Sequence, residues 1–77
     1  MDDASDIAVL DLRGLKCPLN WAHAKVRLEQ IARGAVLELI LDDPRSIRDI
    51  PRAAEAEGYV VAEPRRDGSS WRLRIEK

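Results

Sequence analysis

A chain of 77 residues is one domain and no more. Folding at this size buries only ~60% of the surface the unfolded chain exposes, which excludes a second catalytic domain or a large enclosed cofactor pocket. Hydrophobic residues at 45% suffice for one compact core, and 13 basic against 14 acidic residues, a formal net charge of -1, exclude a strongly basic domain that binds nucleic acid by charge alone.

Asp2, Asp3 and Asp6 make the first six residues acidic, so residues 1–6 read as a frayed, disordered tail and 7–77 as a single domain. The tail lacks the basic-then-apolar layout of a signal peptide, and no apolar run approaches a membrane span. With a single cysteine no internal disulfide can form. A cytoplasmic protein with no membrane partner is the simplest expectation.

Ile7–Leu12 predicts a strand buried on both faces. Arg13-Gly14-Leu15-Lys16 is a turn, and Cys17-Pro18 opens a helix running to about Arg33, closed by Gly34. Trp21, Ala24, Leu28, Ile31 and Ala32 form its apolar face, with His23, Arg27 and Gln30 opposite. Ala35–Leu41 is a second strand. Asp43 and Pro44 then read as the cap and first position of a second helix carrying Ile47, Ile50 and Ala54, which stops at Gly58. Pro51 leaves two outcomes: a kinked helix, or a short turn followed by a helix capped by Asp49. Tyr59–Ala62 is a third strand, Arg66-Asp67-Gly68-Ser69 a hairpin turn, and Trp71–Ile75 a last strand with Trp71, Leu73 and Ile75 facing the core. The order β-α-β-α-β-β implies an α+β two-layer sandwich, both helices on one face of a single four-stranded sheet.

Cys17 is the residue that carries chemistry. It stands where a turn becomes a helix, beside Lys16 and near Arg13, and a thiol at a helix N-terminus next to a cation ionises more readily than a free one. Such a thiolate is a nucleophile and can hold an anionic persulfide; the competing reading is a small buried hydrophobe. One Cys and one His cannot build a zinc site, and no Cys-x-x-Cys dithiol is present, so no metal is expected. His23, on the polar face, is not placed to pair with Cys17. Trp71 with Arg72 and Arg74 is the only hint of an RNA-binding face, and the parity of the strand argues against it by turning Trp71 inward.

Leu10-Asp11-Leu12-Arg13-Gly14-Leu15-Lys16-Cys17-Pro18 resembles the opening signature of the TusA-like sulfur-carrier proteins, also called SirA/YedF-like. Asp42-Asp43-Pro44 and Asp49-Ile50-Pro51 resemble the second signature of that family, and the likeness covers roughly residues 8–76. It implies a two-layer fold with a mixed four-stranded sheet, no cofactor, and a Cys17 that accepts sulfane sulfur as a persulfide. The donor would be a cysteine desulfurase or a rhodanese, and a downstream acceptor protein would take the sulfur on. Arg13, Gly14, Lys16, Pro18 and Asn20 would support Cys17, with Asp43, Pro44 and Asp49 as structural caps. The commonest motif of the family is Cys-Pro-x-Pro, and Asn20 stands here in place of the second proline, an exchange expected to loosen the first helical turn. A carrier must present its sulfur to two partners in turn, so Cys17 should protrude, its sulfur near the N–H groups of residues 19 or 20. The alternative is a non-catalytic regulatory or interaction module, with RNA binding a distant third.

Overall fold

Apolar residues alternate with polar ones along Trp71–Ile75 and recur every three or four residues in the helical stretches, so these elements each have one face to bury. In the computed structural model, which describes residues 7–77, that pattern gives β1 (Ile7–Asp11), α1 (Leu19–Gln30), β2 (Val36–Leu41), α2 (Pro44–Ala56), β3 (Val60–Val61), β4 (Arg65–Asp67) and β5 (Ser70–Glu76). The acidic stretch 1–6, expected as a tail, lies outside the described residues.

The sheet is mixed. β1 runs parallel to β2, β2 antiparallel to β5, and β5 pairs antiparallel with both β3 and β4. The strand expected at Tyr59–Ala62 is reduced to β3, and β4 follows it along β5 where the start of the hairpin turn was expected, so the sheet has five strands where four were expected. Val61 faces Ile75 and Arg65 faces Arg72, so the β3–β4 side carries one residue more than its partner. This is a bulge, and Pro64, with no N–H to give to a ladder, sits inside it. The hairpin closes through Gly68 and Ser69, with φ +62° at Gly68 alone, so glycine takes the first loop position.

Leu37, Leu39 and Leu41 of β2 and Leu73 and Ile75 of β5 are fully buried against Ala24 and Leu28 of α1 and Ile50 and Ala54 of α2. Each such leucine or isoleucine contributes about 1.5–3 kcal/mol on burial. Both helices thus cover the same face of the sheet. β1 was expected to be buried on both faces, but it is an edge strand covered on one: Ala8 and Leu10 pack on the core, while Ile7 and Val9 are 40% and 53% exposed. Trp71 also departs from expectation. It is half-buried at the end of β5, and the Arg66 guanidinium lies 4.9 Å from its ring centroid, a cation–π contact.

α2 runs unbroken through Pro51, starting at the Asp43 cap with Pro44 in its first turn. Asp49 consequently lies inside the helix beside Arg48, 3.2 Å away, and caps nothing. Pro51 lies in the interior of α2, where its missing N–H removes one internal hydrogen bond without ending the helix.

On the open face, Glu38 is only 5% exposed. Its carboxylate accepts hydrogen bonds from Arg72 Nη1 at 2.5 Å and Arg74 Nε at 2.8 Å. The Arg72 hydrogen bond, against the opposing effect of burial and with help from Arg74, holds the Glu38 carboxyl below its ordinary range. A depressed folded-state value contributes stability that is present above the unfolded value and lost as pH falls through the folded one. Glu38→Gln should therefore lower unfolding free energy at pH 7 by about 1.5–3 kcal/mol, the worth of hydrogen bonds to a charged group. The difference from wild type should shrink on acidification below pH ~4. Urea titrations at both pH values check this; a difference independent of pH would refute the assignment.

Candidate functional site

The parallel β1–α1–β2 unit brings two loops together at the C-terminal ends of β1 and β2. Residues 12–18 leave β1 and lead into α1; residues 42–43 leave β2 and lead into α2. Aspartates in the second loop hold the first. Gly14 N–H donates to the Asp42 carboxylate, 3.1 and 3.2 Å from its two oxygens, and Cys17 N–H donates to Asp43 Oδ2 at 3.2 Å. Gly14 has φ +87°, in the left-handed region, so glycine suits the turn that aims its N–H at Asp42.

Asp43 does three things at once. Oδ1 accepts the Arg45 N–H at 3.2 Å, the N-cap bond of α2. Oδ2 accepts the Cys17 N–H and the Ser46 hydroxyl, each at 3.2 Å. Burial by itself raises the Asp43 carboxyl. The backbone N–H bonds from Cys17 and Arg45, the Ser46 hydroxyl and the charge of Lys16 together outweigh it and leave the group below its ordinary range.

Cys17 is exposed, in a shallow depression it shares with Lys16, Asp43 and Arg45. Pro18 is the N-cap residue of α1, with no side-chain cap, and Leu19 is the first helical position. Cys17 therefore stands one residue before the cap, a step earlier than expected. The Asn20 N–H, expected near the sulfur, donates instead to the Lys16 carbonyl at 3.1 Å.

The supporting residues divide. Lys16 lines the depression with Cys17. Arg13 does not; its guanidinium forks onto Asp11, at 2.9 Å to Oδ1 and 2.6 Å to Oδ2. Asp11 is held down to about 2, chiefly by those side-chain hydrogen bonds. Asn20 is completely buried and makes specific bonds: Nδ2 donates to the Leu15 carbonyl at 3.3 Å and to Ser46 Oγ, and Oδ1 accepts the Trp21 N–H at 2.8 Å. The exchange of proline for asparagine thus adds cross-links at the first turn of α1, contrary to the loosening expected. Arg45 and Ser46 escaped the sequence reading. Both follow the Asp43-Pro44 helix start, but nothing local places either residue beside a turn more than 25 positions earlier.

No helix of the described residues is long and apolar enough to cross a membrane. Residues 8–77 match the family model described as sulfurtransferase TusA. A candidate sulfur carrier protein of Archaeoglobus fulgidus is 37% identical over 70 residues, covering 90% of this chain and 80% of that protein. The sulfur carrier protein TusA of Allochromatium vinosum is 35% identical over 68 residues, 88% of this chain and 90% of its own length. The crystal structure of a SirA-like protein from Desulfitobacterium hafniense superposes with a TM-score of 0.78 at 25% identity, covering 91% of this chain and 95% of that one. The loop of Cys17, held by Asp42 and Asp43, and the match over nearly the whole chain agree: this chain belongs to the TusA sulfurtransferase family.

Proposed function

We propose that the protein is a sulfur carrier that accepts sulfane sulfur on Cys17 and passes it to an acceptor protein. The observation that carries the reading is an exposed thiol whose own backbone N–H is tied to Asp43, with Lys16 and Arg45 beside it. Exposure suits a group that must enter two different active sites in turn, and the two cations suit an anionic persulfide. The names of its TusA relatives support the same reading.

The transfer is an exchange at sulfur. The Cys17 thiolate attacks the terminal sulfur of a donor persulfide, the new S–S bond forms as the donor's breaks, and the electron pair leaves with the donor thiolate. The proton stays on the transferred sulfur, and no external oxidant or reductant is consumed. Unloading repeats the step with the acceptor thiolate attacking the terminal sulfur on Cys17. Nothing in it requires a metal or a resident acid or base; the partner supplies the shaped cavity. A cysteine desulfurase or a rhodanese fits the donor role, and the step takes place where thiols stay reduced, as in the cytoplasm. Residues 7–77 act as one unit in this scheme.

The test is intact mass after incubation with a cysteine desulfurase and cysteine. The wild type should gain the mass of one sulfur atom, removable by dithiothreitol. No gain from either class of donor would count against the carrier reading.

A further inference from the structure

We propose that Asn20 is the positioning residue for Cys17, acting through Ser46 and Asp43; the inference deepens the carrier reading and rests on it for its functional meaning. Three observations carry it. Asn20 and Ser46 are both completely shielded from solvent, yet both are polar, so their hydrogen bonds must be made within the protein. Those bonds form one chain: Asn20 Nδ2 donates to Ser46 Oγ, Ser46 Oγ donates to Asp43 Oδ2, and that oxygen accepts the Cys17 N–H. The chain then closes covalently, because Asn20 is three residues on from Cys17.

The donor inventory fixes the direction. A hydroxyl has one proton, and Ser46 gives it to the Asp43 carboxylate, which can only accept. Ser46 must therefore receive from Asn20, and only the amide nitrogen can supply that proton. The second Nδ2 proton reaches the Leu15 carbonyl, so the same side chain also pins the turn that precedes the thiol. A proline at this position has no donor and could make neither bond. In this chain the start of α1 is locked to the start of α2 by a buried amide, and the thiol sits on the closed ring.

The test uses the free, full-length protein and needs no partner. Amide exchange of Cys17 followed by NMR reports its bond to Asp43, and loading by inorganic polysulfide reports the thiol. Asn20→Ala should speed exchange of the Cys17 amide about tenfold and slow polysulfide loading roughly three- to tenfold. Asn20→Asp, of the same size but unable to donate to Ser46, should behave like the alanine variant. Ser46→Ala should match it too, and the double variant should be no worse than the stronger single, as expected of one coupled unit. Ser46→Thr, which keeps the hydroxyl, should retain slow exchange. A merely structural role would lower the melting temperature while leaving the Cys17 amide and the loading rate of folded molecules as they are in the wild type. That pattern, or effects that multiply in the double variant, would overturn the proposal. A wild-type protein that takes sulfur from polysulfide but from no protein donor would instead sink the carrier reading, with the amide exchange still deciding the positioning.

Discussion

Cys17→Ser should abolish sulfur loading and leave the fold unchanged. A hydroxyl cannot hold sulfane sulfur, so the mass gain from a desulfurase should fall to background instead of merely slowing. The fold should survive because the side chain is exposed, and what the neighbourhood uses is its backbone N–H, which serine keeps. Surface substitutions of this kind stay within about 0.5 kcal/mol. Circular dichroism and thermal melting should therefore overlay those of the wild type. The neighbouring cations should matter far less: Lys16→Ala and Arg45→Ala each remove one exposed charge, and an exposed ion pair is worth roughly 0.2–1 kcal/mol, so transfer should slow by about fivefold at most. Raising ionic strength should mimic part of that loss in the wild type and none of it in a variant lacking both cations. Sulfur retained by Cys17→Ser would locate the carrier atom elsewhere and overturn the role of Cys17.

The cysteine and its turn were legible in the sequence because their signals are local. Gly14, Pro18 and the Asp43-Pro44 pair each state a backbone requirement within a few residues, and the alternation in Trp71–Ile75 turns Leu73 and Ile75 inward. What escaped was long-range. Arg13 reads as a cation beside the thiol, but Asp11, two residues back and on the open face, captures it first. Asp49 reads as a cap only if Pro51 ends a helix; the stronger signal at Asp43 starts α2 upstream and carries the chain through the proline. Asn20 reads as the loss of a stiffening ring, and only the approach of α2 reveals the partner its amide was missing. Ile7 and Val9 look like core by composition and lie on an edge strand whose outer face has no helix over it.

Asp43 should prove the most consequential residue of the site after Cys17, because it caps one helix and holds the start of another. Asp43→Ala removes both functions. Loss of the cap costs about 0.5–2 kcal/mol of stability. Loss of the acceptor frees the Cys17 N–H and strands the buried Ser46 hydroxyl, so loading should fall by about tenfold or more. Asp43→Asn separates the two effects. Its carbonyl oxygen can still cap the Arg45 N–H, and asparagine is a good capping residue, so most of the stability should return. Its amide nitrogen, however, would face two donors, Cys17 N–H and Ser46 O–H, and can accept from neither. Loading should thus stay as slow as in Asp43→Ala while the melting temperature recovers. Acidification should act on the wild type in the same sense. The Asp43 carboxyl is depressed in the folded protein, so its contribution is whole above the unfolded value near 3.8 and is lost as pH falls through the lower folded value. From neutral pH down to about 4, the wild-type Cys17 amide should stay protected; below that, protection should fade. In Asp43→Asn the protection should be absent throughout and independent of pH. Were Asp43→Asn to load sulfur at the wild-type rate, the tether between the two helix starts would be a feature of stability alone, and the site would reduce to an exposed cysteine between two cations.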